Sequence, residues 1–387
     1  VSLSAFALGS RWVSWSFVAF RIQMNARCFK TVFSERLGCL VAVGEHACSQ
    51  GKSSGESNLG GAVFGAALGS SVAGFVGVLV LSMAWVGLAW AQPVVNALPS
   101  AGQVVQGAAS MVQSTHQLSI NQTSQRAAIN WQSFDIGVGA KVNVIQPNAQ
   151  AVLLNRVIGQ NPSQIFGQLQ ANGQVILVNP NGVLFGKDGS VNAGGFTAST
   201  LGITDANFMA GNMVYERNGS TAGVVNQGSI QVMPGGYVAL LGASVSNEGK
   251  IIASQGSVAM GAAESIKVPV SGSGRIKLEL SAADINASVS NAGQIVAEGG
   301  QVYLQALALN RAAAQVIQSG SIDASGEQAG QVHLLADGGA ITVGGSITAN
   351  STGTNNKGQA HKGGDIVIGR DEETGVLARY TDVSGAN

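Results

Sequence analysis

Asn226-Gln-Gly-Ser-Ile230 and Gly236-Tyr-Val-Ala-Leu240 form a pair of short segments that recurs along the chain. The next copies are Asn247-Glu-Gly-Lys-Ile251 with Gly256-Ser-Val-Ala-Met260, and Asn291-Ala-Gly-Gln-Ile295 with Gly300-Gln-Val-Tyr-Leu304. Shorter copies are Gly320-Ser-Ile322 with Gly330-Gln-Val-His-Leu334, and Gly345-Ser-Ile347 with Gly364-Asp-Ile-Val-Ile368. The steps from one isoleucine to the next are 21, 44, 27 and 25 residues. One unit therefore takes a little over twenty residues, and we interpret the step of 44 as two units.

Each copy is predicted to hold two short strands, because apolar and polar residues alternate between Gly and Asn. Neither strand can bury its apolar side chains alone. Copies stacked at the strand spacing of about 4.8 Å would place Ile on Ile and Val on Val. Asn and Gly are expected at the corners, where left-handed backbone suits them. A propeller needs blades of about 40 residues and a leucine-rich repeat needs more leucine, so the pattern predicts an all-β parallel β-helix, a solenoid.

The composition agrees with many strands joined by tight turns. Of 387 residues, 54 are glycine, 45% are hydrophobic and only 10% are charged, and the positive and negative charges cancel. Without a basic field, the chain is not expected to bind nucleic acid. All three cysteines precede residue 50, which excludes a disulfide scaffold and a thiolate metal site from the rest of the chain.

A charge-free stretch between Glu56 and Arg126 contains an apolar segment, residues 71–88, that is long enough to enter a bilayer. It ends in Ala89-Trp90-Ala91 before Gln92, the small-x-small pattern that signal peptidase requires. A membrane-spanning anchor is the alternative, but the glycines and the lack of a basic flank favour cleavage. The sequence therefore predicts a cleaved signal leader, helical or unstructured, that uses the Sec translocon.

Residues 24–54 resemble the extended signal-peptide region of very large Gram-negative exported proteins. The shared features are Met24-Asn25, an aromatic and basic segment, Leu40-Val-Ala-Val43, Glu45 and Gly51-Lys52-Ser53, while Glu35 and the three cysteines depart from the pattern. We expect translation to start at Met24. Residues 1–23 would then be an upstream misread, and residues 24–91 would form the extended signal peptide.

The most distinctive motif is Asn179-Pro180-Asn181-Gly182, which follows the strand-like run Gln174-Val-Ile-Leu-Val178. Asn at the first position, Pro at the second and Gly at the fourth each favour a type I β-turn. Pro180 also holds Asn179 in an extended conformation that continues the strand. Taken alone, this tetrapeptide is a common turn.

Six segments occur in a fixed order around and including this turn. They are Ile120-Asn-Gln, Ala128-Ile-Asn-Trp-Gln-Ser-Phe-Asp-Ile-Gly137, Val142-Asn-Val, Leu154-Asn-Arg-Val157, Gly173-Gln-Val-Ile-Leu-Val-Asn-Pro-Asn-Gly-Val-Leu-Phe-Gly186 and Gly195-Phe-Thr-Ala-Ser199. In this order they resemble the secretion domain of two-partner secretion exoproteins, the filamentous haemagglutinin family. The resemblance covers about residues 92–340.

This resemblance implies a right-handed parallel β-helix with an N-terminal cap over residues 92–340. Residues 341–387 continue the repeat pattern without a closing cap, so we expect them to be the start of further β-helix repeats, truncated. It implies a partner, an outer-membrane β-barrel transporter whose periplasmic domains recognise the chain and thread it outward unfolded. Asn179, Pro180, Asn181 and Gly182 would be the secretion motif, with Asn155, Arg156 and Val157 in the adjoining matched segment. Some members carry a second motif, Asn-Pro-Asn-Leu, for which the nearest match here is Gln146-Pro-Asn-Ala149.

Export through a barrel requires the chain to stay unfolded until it is outside. Stacked coils can nucleate at one end and propagate, so burial of each successive coil would help to pull out the rest. Under this hypothesis, charges placed inside the core at Val238 and Val258 slow export.

Catalysis is the main alternative from another class, because some parallel β-helices degrade polysaccharides. Such chemistry needs paired carboxylates or calcium-binding carboxylates on one face. The carboxylate cluster Asp371-Glu-Glu373, beside Arg370, is typical of a solvated turn, and His116, His333 and His361 lack a metal-binding spacing. His333, between Val332 and Leu334, is expected to point outward. We predict no catalytic residue, metal or cofactor.

Export would place the protein outside the cell or on its surface, after it has crossed the periplasm. Two roles fit this location: a surface adhesin or haemagglutinin that binds host-cell or bacterial surface receptors, and the delivery stem of a contact-dependent growth-inhibition toxin. The two classes differ in the sequence C-terminal to Asn387, so residues 1–387 leave both open.

Overall fold

The computed structural model describes residues 92–269, 278–354, 358–372 and 375–386, and the backbone of residues 29–34 and 39–44. The chain divides into two compact units, Val1–Val86 and Gly87–Asn387. Residues 71–91, with the apolar segment and with Ala89 and Ala91, lie outside the described residues. Within the described residues, no helix is both long and apolar enough to cross a membrane.

The described part of the first unit is one pair of strands. β1 (Phe29–Ser34) pairs antiparallel with β2 (Cys39–Gly44), with Phe29 opposite Gly44. The prediction of a helical or unstructured leader is therefore wrong for these residues. Both segments are rich in β-branched and aromatic residues, such as Val32 and Phe33, which favour strands.

Three sheets form the faces of the second unit. Face A consists of β3 (Gln103–Gln106), β6 (Arg126–Trp131), β8 (Val152–Val157), β11 (Gln174–Val178), β14 (Gly195–Ser199), β18 (Tyr237–Gly242), β21 (Ser257–Ala262), β26 (Gln301–Ala306), β29 (Gln331–Ala336) and β32 (Asp365–Ile368). Face B consists of β4 (Ala109–Gln113), β5 (Gln117–Gln122), β7 (Lys141–Ile145), β10 (Gln168–Ala171), β13 (Ser190–Ala193), β17 (Ser229–Val232), β20 (Lys250–Ile252), β25 (Gln294–Val296), β28 (Ser321–Asp323) and β31 (Ser346–Thr348). Face C consists of β9 (Ser163–Ile165), β12 (Val183–Phe185), β16 (Gly223–Asn226), β19 (Ser244–Asn247), β24 (Ser288–Asn291), β27 (Gln315–Gln318), β30 (Ala340–Val343) and β35 (Tyr380–Asp382).

Each coil takes one strand from face C, then one from face B, then one from face A, as β16, β17 and β18 do. Strands of successive coils pair parallel and in register, with Ile230 opposite Ile251 and Val238 opposite Val258. This arrangement confirms the parallel β-helix. The prediction of two strands per unit is wrong, because each coil has a third strand on face C. That strand is short and holds one inward aliphatic residue, such as Val245, so its pattern is too brief to be recognised.

A cap closes the N-terminal end of the β-helix. β3 pairs antiparallel with β6, and β4 pairs antiparallel with β5. The two capping strands cover the edges of faces A and B, which would otherwise offer unpaired backbone groups. Trp131 lies directly beneath, because a Cβ atom on Gly102 would collide with its ring. The cap expected from the resemblance is therefore present.

An extra layer covers the outside of face A. It contains α1 (Asp205–Ala210) and an antiparallel sheet of β15 (Val214–Glu216), β22 (Ser265–Lys267) and β23 (Glu279–Ser281). Thr204 caps α1 by accepting a hydrogen bond from the backbone N–H of Asn207. Near the C-terminus are a 3-10 turn (Arg311–Ala313) and the antiparallel pair β33 (Arg370–Asp371) and β34 (Val376–Leu377).

This layer explains the longest step of the repeat. Ile251 pairs directly with Ile295, so the interpretation of 44 residues as two units is wrong. The step is a single coil that leaves the β-helix after β21, contributes β22 and β23 to the extra layer, and returns at β24.

Aliphatic columns fill the interior of the β-helix. One isoleucine column on face B and one valine column on face A are buried to 1% exposure or less: Ile230, Ile251, Ile295 and Ile322, and Val238, Val258, Val302 and Val332. Burying each such side chain contributes roughly 1.5–3 kcal/mol relative to leaving it exposed. Each coil gains this contribution only when a neighbouring coil covers it.

A polar column lies inside the corner between faces C and B. Asn226, Asn247 and Asn291 are fully buried there. The side-chain amide of Asn226 donates to Asn247 Oδ1, that of Asn247 to Asn291 Oδ1, and that of Asn291 to Gln318 Oε1, each at 2.7 Å. The backbone N–H of Gly228 donates to Asn226 Oδ1. Burial of these amides therefore costs little free energy, because they are hydrogen-bonded to one another.

Glycines occupy two corners of the coil for a steric reason. A Cβ atom on Gly256 would collide with the carbonyl oxygen of Gly236, and a Cβ atom on Gly249 with that of Gly228. None of these four glycines has a positive φ, and neither does Asn247. The expectation of left-handed backbone is therefore wrong for the corner between faces C and B. At the corner between faces B and A it is confirmed one residue before the repeat glycine, since Gly235, Gln255 and Gly299 have φ of 76°, 57° and 65°. Glycine is required because successive coils approach too closely for a side chain.

We expect Gly256→Ala to lower the free energy of unfolding by about 3 kcal/mol, because its methyl group meets a backbone carbonyl that cannot rotate away. Gly344→Ala is the matched control, since nothing lies within 4 Å of its Cβ position and its φ is not positive. Urea unfolding followed by circular dichroism measures both variants. Equal stabilities would contradict the steric explanation.

Candidate functional site

The motif residues lie at one corner of the β-helix, where face A strands end and face C strands begin. Two turns are stacked there: residues 158–162 connect β8 to β9, and residues 179–182 connect β11 to β12. We call these two turns the A–C corner. Residues 155–157 end β8 directly beneath the second turn, since Leu177 pairs with Asn155 and Val178 with Arg156. The structure thus brings together both segments that the sequence singled out.

The second turn has the expected geometry. The backbone N–H of Gly182 donates to the carbonyl oxygen of Asn179 at 3.1 Å, which closes a four-residue turn. Asn181 does not have a positive φ, which excludes a type II turn and fits type I. Gly182 does, with φ of 119°, so a side chain at this position would be strained. Its carbonyl oxygen accepts from the backbone N–H of Ser163 in the preceding coil at 2.9 Å.

Asn179 is fully buried and holds the two turns together. Its side-chain amide donates to the carbonyl oxygen of Asn161 at 2.9 Å and to Ser163 Oγ at 3.0 Å. Its Oδ1 accepts from the backbone N–H of Asn181 at 3.0 Å. The first residue of the motif therefore has a structural role, and its side chain is not accessible at the surface.

Pro180 and Asn181 are the exposed residues of the motif. The Asn181 amide donates to the carbonyl oxygen of Gly159 at 2.9 Å, and the Pro180 carbonyl oxygen accepts from Ser220 Oγ at 2.6 Å. Hydrogen bonds to Gly159 and Ser220 thus fix the tip of the turn, Pro180 and Asn181, while its outer surface is accessible. Ile158, on the adjacent turn, is 61% exposed and adds an apolar side chain to the same corner.

Asn155, Arg156 and Val157 point in alternate directions from β8. Asn155 lies in the interior, fully buried, and its Oδ1 accepts from the indole N–H of Trp131 at 3.0 Å. Arg156 points outward and binds the Asp205 carboxylate at 2.6 Å and the Ile203 carbonyl oxygen at 2.8 Å. All three residues serve the fold: Asn155 satisfies the indole N–H beneath the cap, Arg156 anchors α1, and Val157 is buried in the core.

Two features of this corner were not predicted from the sequence. The first is the turn at residues 158–162, whose carbonyl oxygens receive the motif amides. Its Asn161-Pro162 dipeptide is a turn signal that could have indicated it. The second is a groove of about 650 Å³ beside Asn181, lined by Phe166, Leu184 and Lys187 and reached by Gln92. Gln92 is the described residue of the predicted cleavage site, and it is exposed.

The residues considered for catalysis are dispersed. His116 is exposed, and His333 points outward, as predicted, and stacks on Tyr303 with ring centroids 4.6 Å apart. Arg370 pairs with Glu372 at 3.2 Å, and both side chains are more than 70% exposed. In the described ranges, no three His, Cys, Asp or Glu side chains are grouped so that they could hold a metal ion.

Comparisons with known proteins give two family matches. Residues 96–279 match the TPS secretion domain, and residues 24–74 match the extended signal peptide of the type V secretion system. A heme/hemopexin-binding protein of Haemophilus influenzae strain Rd is 36% identical over 160 residues, which are 40% of this chain and 18% of that protein. A second protein of that name from H. influenzae is 51% identical over 83 residues, 21% of this chain and 9% of that protein. The chain thus spans less than a fifth of either relative.

A solved structure supports the same assignment. The HMW1 secretion domain from H. influenzae is similar to this chain with a TM-score of 0.62 and 29% identity, over 74% of this chain and 82% of that domain. The fold, the ordered segments around the turn, and the two family matches agree. The chain belongs to the two-partner secretion exoproteins of the filamentous haemagglutinin family, with their secretion domain and their extended signal peptide.

Proposed function

We propose that the A–C corner carries the signal by which an outer-membrane β-barrel transporter recognises this chain. The periplasmic domains of the transporter would read Pro180 and Asn181, together with Ile158. The different positions of the motif residues support this role. Asn179 is buried and holds the two turns together, whereas Pro180 and Asn181 are held in place with their outer surfaces accessible. A turn needed only for folding would not require a rigid polar tip beside an exposed isoleucine.

The leader would bring the chain to this transporter. We propose that translation starts at Met24, that the Sec translocon carries the chain into the periplasm, and that signal peptidase cleaves between Ala91 and Gln92. The secretion domain proper would then extend over residues 92–340. The exposure of Gln92 in the second unit supports a mature protein that begins there.

We expect Asn181→Ala to reduce export about fivefold or more, corresponding to a loss of roughly 1 kcal/mol of recognition free energy. The measurement is the amount of mature protein in the medium of cells that co-express the transporter. Asn172→Ala is the matched control. Asn172 is also exposed at a corner, and its side-chain amide likewise donates to a backbone carbonyl oxygen of the preceding coil, that of Gln146 at 2.8 Å.

Urea unfolding of both variants separates recognition from stability. Each loses one side-chain amide, so we expect similar and small losses, about 1 kcal/mol each. If Asn181→Ala and Asn172→Ala were exported equally well, the A–C corner would not carry the signal. Protein that remained in the cytoplasm even with the transporter present would contradict the export pathway itself.

For the whole exoprotein, we propose a role as a surface adhesin that binds receptors on host cells or other bacteria, without catalytic activity. The solenoid supports this role, since stacked coils extend a binding surface away from the cell. Binding of the purified exoprotein to cultured cells tests it. Inhibition of neighbouring bacteria on contact, without adhesion, would instead identify a toxin-delivery stem.

A further inference from the structure

A cavity of about 380 Å³ lies at a different corner of the β-helix, where face B strands end and face A strands begin. Its floor is the outer surface of face A at Val152, Gln174 and Tyr237, and Met213 and Met233 line its walls. The Tyr237 ring packs against Gly195, since a Cβ atom there would lie 3.0 Å from the ring. The cavity is within the size range of sites for small molecules.

Arg126 is the one residue of this cavity with a permanent charge, and no acidic residue lines it. Its guanidinium carbon lies 5.6 Å from the centroid of the Phe208 ring, which holds the group over an aromatic face. Its Nη1 atom is buried and has no hydrogen-bond partner. Within the described residues, no carboxylate is within ion-pair distance of Arg126. The cavity therefore has a net positive charge at one end.

Two other arginines contact the same extra layer, and both have carboxylate partners. Arg156 binds Asp205 at 2.6 Å, and Arg217 binds Glu264 at 2.7 Å. Arginine carries five N–H donors and cannot lose its charge, so an unpaired guanidinium in a partly buried position is costly. Arg126 is the exception in a layer where the fold otherwise supplies a carboxylate.

The neighbouring polar groups do not satisfy this cation. The Tyr237 hydroxyl is engaged with Gln174 Oε1 at 3.3 Å. Burial raises the pKa of Tyr237, so its hydroxyl stays neutral and offers no negative charge. A carboxylate from outside would match both the charge and the two-pronged geometry of a guanidinium.

We propose that this cavity binds a small organic carboxylate, with the carboxylate on Arg126 and an apolar body against Met213, Met233 and Tyr237. The two methionines suit this role, because their flexible and polarisable side chains adapt to ligands of different shape. The amide of Gln150, also in the lining, would bind a polar substituent at the opening. This function is separate from export, because the cavity and the A–C corner lie at opposite ends of the face A strands.

The test uses two probes of similar shape, phenylacetate and its neutral amide, phenylacetamide. We expect phenylacetate to bind the purified protein in calorimetric titrations at low ionic strength and to raise its melting temperature. We expect phenylacetamide to bind about tenfold more weakly or worse, since it lacks the charge that Arg126 recognises. Equal binding of the two probes, or no saturable binding of phenylacetate up to its solubility limit, would overturn the proposal.

Two variants assign the binding to Arg126. Arg126→Gln should weaken phenylacetate binding about tenfold or more, whereas Arg379→Gln, which makes the same change at an exposed position outside the cavity, should leave it unchanged. Undiminished binding by Arg126→Gln would show that the site lies elsewhere. Should Arg126→Gln fail to fold, the comparison of the two probes on the unaltered protein still decides.

Discussion

Replacing Val258 by Asp is expected to lower the free energy of unfolding by about 4 kcal/mol and to slow export. Val258 is fully buried in the valine column of face A, between Val238 and Val302. A carboxylate there has aliphatic neighbours and no hydrogen-bond donor from a side chain. The new carboxyl group must either ionise in an apolar interior or stay protonated without hydrogen-bond partners. Both states raise the free energy of the folded protein.

Gln294→Asp is the matched control for this variant. It introduces the same side chain on a strand of face B, but at an exposed position that points outward. We expect its stability to remain within about 0.5 kcal/mol of the unaltered protein. Urea unfolding measures stability, and a pulse-chase assay of protein in the medium measures the export rate.

The two measurements on Val258→Asp separate two claims. The stability loss tests the buried column, and a variant as stable as Gln294→Asp would contradict it. The export rate tests whether folding of successive coils outside the cell pulls the chain through the transporter. If Val258→Asp were unstable but exported at the normal rate, the pulling hypothesis would fail while the β-helix would stand.

The inward columns could be predicted from the sequence because a parallel in-register stack demands the same residue type at each level. Ile230, Ile251 and Ile295 recur for that reason, and they pair with one another as expected. The face C strands could not be predicted, since one inward aliphatic residue in three or four gives no periodicity. The direct pairing of Ile251 with Ile295 was also hidden, because a spacing of 44 residues fits two coils as well as one coil with an excursion.

The candidate site, too, could be predicted from the sequence only where its conformation is set locally. The turn at Asn179–Gly182 was predictable, because the conformational preferences of Asn, Pro and Gly are local. Its partners were not, because the Asn161 carbonyl oxygen and Ser163 Oγ belong to the preceding coil and reach Asn179 only through the stacking register. Arg126 gave no sequence signal, since the absence of a carboxylate partner is a property of the packed layer and has no sequence motif.

Asn247→Leu is expected to lower the free energy of unfolding by about 3 kcal/mol, although it adds apolar surface to the interior. The variant leaves the Asn226 amide without its strongest acceptor and Asn291 Oδ1 without its donor. Each buried group left unsatisfied costs about 1–3 kcal/mol, and that cost exceeds the gain from the larger apolar side chain. Urea unfolding near neutral pH measures the loss.

The pH dependence of the stability of Asn247→Asp tests whether residue 247 must donate a hydrogen bond to Asn291 Oδ1. A protonated Asp can accept from Asn226 and donate its O–H to Asn291 Oδ1, whereas an ionised Asp can only accept and opposes that oxygen. Burial and this oxygen both raise its folded-state pKa above the unfolded value of about 3.9. The variant should therefore approach normal stability below about pH 4 and lose stability as the pH rises through its folded-state pKa. Asn148→Asp, at an exposed corner, should show no such loss over that range. An Asn247→Asp variant with a flat pH profile would mean that the Asn column fills space without transmitting hydrogen bonds from coil to coil.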